Sequence, residues 1–344
     1  MSATYLLPLR TRTALTADSE LAVYLADLSR AMAVVVVDGS APDVYTATAH
    51  ALDGTILHVP LSPARRCANG KAWGVLSGLD RIATDFVVIA DEDVRWDTAA
   101  IDRALRLLAG HDLVVPQNHF VPLPWHAAWD TARTLLNRAV AHDWPGTLVL
   151  RRAALSADEP YDGDVLFENC ELVRTVRARG GSIVVARDLF VARRPPTTAH
   201  FLDQRRRQAY DDLAEPLRMA FFLTVAPTLL LTRSRGAIAM VAASTAVAEV
   251  GRRRAGGARV FPWFTSLCAP LWVVERAVMS WAAVWARVTC RGVRYGDGRM
   301  LRAATPEGQL RARASDRAWP PPQARWRPRK SATSRQPSTA AAAR

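Results

Sequence analysis

Short apolar runs recur through the first two hundred positions. Those at 5–9, 33–37, 86–90, 113–115, 147–150 and 183–185 are rich in β-branched residues and predict strands. Between them, 19–30 is amphipathic, 70–82 and 98–109 follow turn-forming residues, and 168–179 ends at Gly180-Gly181, a helix stop. These four segments predict helices. Strands apolar along their whole length, alternating with helices, predict an α/β domain with a mostly parallel sheet covered on both faces.

The pattern changes near Glu215. From there to Val288 acidic residues almost vanish, and uncharged runs fall at 219–232, 236–248, 260–274 and 277–286. Each is about 10–15 residues, short of the roughly 20 a spanning helix needs. Arg218, Arg233, Arg235, Arg252, Arg253, Arg254 and Arg259 lie between or beside the runs. If the runs crossed a bilayer, alternate basic clusters would fall outside, against the positive-inside tendency. The pattern therefore predicts helices that lie in, or dip into, the cytoplasmic leaflet, with Trp263, Trp272, Trp281 and Trp285 at interfacial depth. A soluble helical subdomain and two to four short spanning helices are the alternatives. After Arg302 the chain turns to Ala, Arg, Pro and Ser, including PPPQARWRPRK and SATSRQPSTAAAAR, which predicts a disordered basic tail, either solvated or attached to anionic lipid. The expected organisation is an α/β domain at 1–212, an apolar membrane-associated helical region at 213–300 and a tail at 301–344.

Charge refines this picture. Residues 291–344 hold thirteen Arg/Lys against three Asp/Glu, a net +10 of the whole-chain +13. The basic character thus belongs to the end of the chain, and a nucleic-acid binder would want its basic stripe on the fold. Only Lys71 and Lys330 are lysines, which singles out Lys71. Cys67, Cys170, Cys268 and Cys290 are far apart, disfavouring a disulfide framework or a zinc site. The opening MSATYLLPLR lacks the charged and apolar regions of a signal peptide and predicts a cytosolic start.

Candidate chemistry concentrates at strand ends. In IADEDVRWD, 89–97, an apolar strand runs into Asp91-Glu92-Asp93. Carboxylates at the carboxyl end of a parallel strand point into the crevice where open α/β sheets bind ligands, and Asp91 and Asp93 alternate to one side. Two hard oxygen ligands suit Mg²⁺ or Mn²⁺ bridging to substrate phosphates; an acidic loop is the plainer alternative. VVVVDGS, 34–40, places Asp38 at a strand lip, where it binds a nucleotide or simply makes a turn. Lys71, after Asn69-Gly70, falls near a helix N-terminus, where a cation is disfavoured unless an anion lies beside it.

Taken in order, these segments resemble family 2 glycosyltransferases of the GT-A fold. VVVVDGS is similar to their nucleotide-binding strand, with one Asp missing, and NGKAWGVLSGLDRIATDFVVIADED to their Gly-Lys-Ala helix and DxD strand. PGTLVLRRAAL, 145–155, resembles their Gly-rich strand and Arg-Arg helix start, and FENCELVRTVRARGG, 167–181, the segment carrying their catalytic acid. QRRRQ, 204–208, looks like their QxxRW box, and CRGVRYGDGRM, 290–300, like the segment closing the membrane region of lipid-directed members such as ceramide glucosyltransferases. The resemblance spans roughly 4–300.

It implies a Rossmann-like GT-A domain and an inverting, metal-dependent hexosyltransferase at the cytoplasmic side of the cell membrane. A single sugar would move from a nucleotide-sugar, UDP-linked by preference, to a lipid or lipid-linked acceptor. Asp38 would contact the base; Asp91 and Asp93 would hold the cation, with Lys71 nearby; Gln204 and Arg207 would flank the diphosphate and acceptor. Glu168 would be the general base, since the family's usual Asp is Asn169 here; Asp162 and Asp164 are the other carboxylates within reach in sequence, and an impaired site is the third possibility. Gln208 stands where the box has Trp, which favours a single transfer over a polysaccharide synthase. In PQNHFVPLPWHAAWDTARTLLNRA, 116–139, Trp125, Trp129, Asp130 and Arg133 suit a sugar or headgroup, while His119 and His126 lack metal-ligand spacing.

Overall fold

The computed structural model describes residues 2–296 and 298–315. The chain opens with β1 (Ala3–Leu9), α1 (Glu20–Ser29), β2 (Ala33–Asp38), α2 (Pro42–Ala51) and β3 (Leu57–Pro60). It continues through α3 (Gly70–Leu79), β4 (Phe86–Ala90), β5 (Val94–Arg95), α4 (Thr98–Leu107), β6 (Leu113–Phe120) and α5 (Trp125–Val140). β7 (Thr147–Arg151), α6 (Glu168–Ala178), β8 (Ile183–Arg193) and α7 (Thr198–Asp211) complete the sheet layer. Then come α8 (Pro216–Arg253), α9 (Ala269–Val288), the antiparallel pair β9 (Val293–Tyr295) and β10 (Gly298–Met300), and α10 (Glu307–Ser315). Ser19, Asn69 and Asp97 start α1, α3 and α4, each side chain accepting from backbone N–H groups of the first turn.

The eight strands lie in the order β3-β2-β1-β4-β7-β6-β8-β5. β3, β2, β1 and β4 are parallel, as are β6 and β8; β7 runs against both its neighbours and β5 against β8. The expected α/β class with a mostly parallel sheet and flanking helices is the one observed. Because β7 is reversed against β4 and β6 alike, the carboxyl ends of β1, β2, β4, β6 and β8 still open on one edge. The chain leaves β1 towards β2 and returns on its other side at β4, so the topological switch lies between β1 and β4, where such sheets bind ligands.

Alternate residues feed two cores. Tyr5, Leu7, Val34, Val36 and Val88 pack with Leu25 of α1 and Ile101 of α4; Leu6, Val35, Val37, Val87 and Ile89 pack with Leu79 of α3 and Val176 of α6. Burial on both faces is why these strands read as unbroken apolar runs. The apolar pattern misses α2 and β3, because β3 buries none of its residues and α2 buries only Thr48. It also truncates β6 and β8, whose later, partly polar residues such as Gln117, Asn118 and His119 stay paired in the sheet.

α8 breaks at Arg233, where φ is 51°. Phe222 before the break and Ala248 after it share one apolar cluster with Trp272. A straight helix would hold them about 39 Å apart, so the chain folds back into a helical hairpin. Its returning leg lies close on α5: a Cβ on Gly251 would sit 1.8 Å from the Leu135 carbonyl oxygen. α9 turns Trp272, Arg276, Ala277 and Ala283 inward and Val278, Trp281, Trp285 and Val288 outward. Trp263–Val288 is long and apolar enough to cross a membrane by length and composition.

The expected tail needs correction at its start. Ala303, Ala304 and Thr305 are buried, the N–H groups of Leu166 and Phe167 donate to the carbonyls of Arg302 and Ala303, and the Thr305 N–H donates to Glu171. This strap is held largely by backbone bonds, which leave no apolar periodicity to read. α10 (Glu307–Ser315) follows within the expected tail, and 316–344 lie outside the described residues.

Candidate active site

β4 carries Asp91 to the edge where the switch point lies, and a tight turn brings Asp93 beside it. A cleft of about 570 Å³ opens there, lined among others by Lys71, Asp91, Glu92, Asp93, Glu168, Asn169, Arg193, Gln204, Arg207, Gln208 and Asp211. Six of the seven expected site residues, Lys71, Asp91, Asp93, Glu168, Gln204 and Arg207, thus meet from α3, the end of β4, α6 and α7.

Lys71 is the centre of this convergence. Its Nζ lies 2.6 Å from Asp91 Oδ1, 2.8 Å from Glu168 Oε1 and 3.3 Å from Asn169 Oδ1. Burial would lower its pKa, but Asp91 and Glu168 more than offset this and hold it above the ordinary lysine value. These carboxylates are the anions that make a cation tolerable at the start of α3. Asn69, fully buried, ties the same corner together. Its Oδ1 caps α3 and accepts from the Tyr295 hydroxyl, while its Nδ2 donates to the carbonyls of Val165 and Leu166 and to Glu168 Oε2. Both Glu168 oxygens are therefore engaged.

Arg193, at the end of β8, is the partner of the acidic turn. Its Nε donates to Asp93 Oδ2 at 2.8 Å, and its guanidinium lies 3.6 Å from Asp91 Oδ2. Burial raises the Asp93 pKa, with Arg193 pulling the other way. Asp93 Oδ1 is buried and has no hydrogen-bond partner. Gly146 makes the close approach possible: a Cβ there would lie 2.5 Å from Asp91 Oδ2 and 3.3 Å from Arg193 Cζ. Among the described residues no three His, Cys, Asp or Glu side chains are grouped as metal ligands. The protein offers two carboxylates and one unpartnered oxygen. Formally Asp91, Glu92, Asp93 and Glu168 outweigh Lys71 and Arg193 by two negative charges. That set fits a divalent cation completed by phosphate and water oxygens.

Other expected residues fall as follows. Arg207 stacks its guanidinium over the Tyr295 ring at 5.5 Å and has no acidic partner among the described residues; Gln204 bonds His200. Asp130 and Arg133 line the cleft, Asp130 bound by Arg205 at 3.1 Å and Arg133 bonded to Asp143 at 2.9 Å. His126 Nε2 donates to the Pro196 carbonyl, and Trp125 and Trp129 pack around Phe201. His119 packs edge-on to Phe190, outside the main cleft. Asp38 is not brought into the cleft: its side chain is fully enclosed, 3.1 Å from His58 Nε2, with Tyr45 stacked on His58. Burial would raise the Asp38 pKa, yet bonds from His58 and Ser40 hold it below the ordinary value. Asp38, expected to contact a nucleotide base, therefore lies outside the residues that line this cleft. Asp162 is bound by Arg302 at 2.8 Å and Asp164 accepts from the Ala68 N–H, and neither lines the cleft.

Sequence reasoning misses Arg193, Asn69, Tyr295, Asp211 and the arginines Arg218 and Arg276 in the cleft wall. Asn69 carried a cap signal and Asp211 stands four residues beyond Arg207 on α7; Arg193, Arg218 and Arg276 reach the cleft, and Tyr295 reaches Arg207, only through long-range packing.

No protein-family model and no curated protein matches this chain. Among solved structures, a mannosyltransferase from Pyrobaculum calidifontis, in complex with GDP-Man and Mn²⁺, is similar at 18% identity and TM-score 0.49, covering 81% of this chain and 86% of its own. Glucosyl-3-phosphoglycerate synthase from Mycobacterium tuberculosis, in complex with Mn²⁺, UDP and phosphoglyceric acid, matches at 16% identity and TM-score 0.40, over 60% of this chain and 76% of its own. Mannosyl-3-phosphoglycerate synthase from Rubrobacter xylanophilus matches at 13% identity and TM-score 0.41, over 60% and 71%.

Proposed function

We propose that this protein is an inverting, metal-dependent hexosyltransferase of the GT-A type, moving one sugar from a nucleotide-sugar, UDP-linked by preference, to a lipid or lipid-linked acceptor at the cytoplasmic side of the cell membrane. The observation that carries the reading is the meeting of Asp91, Asp93, Lys71, Glu168 and Arg207 in one cleft at the switch point of the sheet. Those residues suit a diphosphate. Lys71 and Arg207 supply positive charge, and Arg207, over the Tyr295 ring, offers a fork to phosphate oxygens. Asp91 and Asp93 would hold Mg²⁺ or Mn²⁺, which neutralises charge on the departing nucleoside diphosphate. Glu168 holds Lys71 against Asp91, so the amine is aimed before any substrate arrives.

The acceptor half of the reading rests on the helical region. Leu217, Leu230, Leu231, Ile238, Trp263 and Trp285 are exposed on α8, α9 and the turn between them, with Arg233 and Arg235 at the hairpin tip. Apolar side chains beside arginines complement an anionic lipid surface. Leu217, 90% exposed, precedes Arg218 of the cleft wall, so the apolar face runs up to the mouth of the cleft. α9 points Arg276 into the protein, onto Asp212 at 3.1 Å, which suits a helix lying against a membrane better than one surrounded by lipid.

One observation favours a second reading. Asn169 fills the place of the family's acid and accepts from Lys71, as an impaired nucleotide-sugar-binding relative would have it.

Calorimetric titration with UDP-Glc and GDP-Man, with and without Mn²⁺, tests the proposal. One donor is expected to bind only with the metal, and to be consumed when detergent-dispersed membrane lipid is added. Binding without turnover would leave the impaired relative; absence of binding by either donor sinks both. Within this reading, Gly146→Ala is expected to weaken Mn²⁺-dependent donor binding about tenfold or more, because the new Cβ drives the Asp91 carboxylate off its place. Unchanged binding in a folded variant would show that the Asp91 position is not critical.

A further inference from the structure

Asp211 is the last residue of α7 and stands in the cleft wall. It differs from its acidic neighbours there, of which all but the exposed Glu92 are ion-paired among the described residues. Asp91 and Glu168 are paired to Lys71, Asp93 to Arg193, Asp130 to Arg205 and Asp212 to Arg276 and Arg218. Asp211 has no ion pair among the described residues, and its Oδ1 is buried without a hydrogen-bond partner. Glu168 and Cys170 face it from α6, Arg207 from its own helix, Asp212 from the following turn and Arg276 from α9, with Arg218 of α8 in the same wall. Burial lifts its pKa to about 7; Arg207 pulls the other way, and Glu168 and Asp212 add to the rise.

A general base needs an oxygen free to take a proton and a pKa near working pH. Glu168, with one oxygen on Lys71 and the other on Asn69, lacks the first. Resting on the transfer reading above, we propose that Asp211 is the general base of the reaction. Its carboxylate takes the proton of the acceptor hydroxyl as that oxygen bonds the anomeric carbon. The bond from that carbon to the diphosphate oxygen breaks, and its electron pair leaves with the nucleoside diphosphate. Glu168 is then a positioning residue acting through Lys71. The wall that holds Asp211 also holds Arg218, next to exposed Leu217, so the base stands on the side from which a lipid-borne hydroxyl enters.

The test compares wild type, Asp211→Asn, Asp211→Glu and Glu168→Gln in Mn²⁺, measuring binding of UDP-Glc and GDP-Man and hydrolysis of the bound donor, in which water takes the acceptor's place. Wild-type kcat/KM is expected to rise with pH through about 7 and level off. Asp211→Asn should lose about 10²–10⁴-fold in kcat, keep donor affinity within about threefold, and lose the rise. Asp211→Glu should restore part of the rate, and Glu168→Gln should keep the rise. Stability gives an independent sign. A carboxyl whose pKa is raised by folding loses stability as pH climbs from its unfolded value through the folded one. Asp211→Asn should therefore melt above wild type at pH 8, by a margin that shrinks towards pH 5. Hydrolysis within threefold of wild type in Asp211→Asn, or a persisting rise through pH 7, would overturn the proposal while leaving the transfer reading standing. Failure of the wild type to bind either donor removes the transfer reading and the proposal with it.

Discussion

Asp93→Asn is expected to lower metal-dependent turnover by about 10³-fold or more, and to leave any residual donor binding indifferent to Mn²⁺. The substitution keeps the size of the side chain and removes its charge. In the protein, one Asp93 oxygen is held by Arg193 and the other is buried without a partner. An amide can keep the first contact by its oxygen but offers no anionic ligand at the second. A divalent ion on a departing diphosphate supplies several kcal/mol of charge stabilisation, and about 4 kcal/mol corresponds to a thousandfold in rate. Arg193 retains Asp91 at 3.6 Å, so the fold should survive, and circular dichroism with a thermal melt checks that it does. Turnover within tenfold of wild type, still responsive to Mn²⁺, would exclude Asp93 as a ligand.

Replacing Leu230, Leu231 and Ile238 together with Ser is expected to weaken binding to vesicles of mixed zwitterionic and anionic lipid by about 10²-fold or more. These side chains flank the fold-back of α8 and are 79%, 84% and 70% exposed, so the change removes little from the protein's own core. A fully buried aliphatic side chain is worth about 1.5–3 kcal/mol. Three of them, even partly inserted, exceed the roughly 2.7 kcal/mol that a hundredfold requires. Arg233→Ser with Arg235→Ser should cost less, about 1 kcal/mol each, and only on anionic vesicles at low salt. Sedimentation with vesicles separates the two contributions. If the triple variant binds as wild type does, the hairpin is not the lipid-facing element, and α9 with Trp281 and Trp285 becomes the face to alter next.

Much of this site is written locally in the chain. The run 86–90 followed by Asp91 and Asp93 is a buried strand ending in carboxylates, and sheet geometry alone sends such an end to a ligand edge. Asn69 ahead of Lys71 is a helix cap, and it forms as one. Glu168 opens α6 where periodicity predicts a helix, whereas Gln204, Arg207 and Gln208 on α7 were singled out only by the resemblance of QRRRQ to a family motif. The charged gap at Arg233 and Arg235 between two apolar runs was legible, but the fold-back there was not, because nothing about a non-glycine residue marks φ 51° and a reversal of the chain. Nor was the strap at 302–305, whose bonds are made by backbone atoms that every residue carries.

By itself the sequence determined most of the buried strands and four of the helices that flank them, the acidic strand end, the lysine at a helix start and the apolar helical region. Each follows from side-chain periodicity or from neighbours a few positions apart. The tertiary structure alone decided what each acid is able to do. Asp38 and Asp211 are the same residue type, each near a strand or helix end. One is enclosed against His58 and held below its ordinary pKa; the other is buried without a partner and lifted to about 7. A carboxyl's proton affinity is set by the charges and donors around it in space. Around Asp211 those are Arg207 and Asp212, close by in the chain, and Glu168 of α6 and Arg276 of α9, which only the fold brings to it.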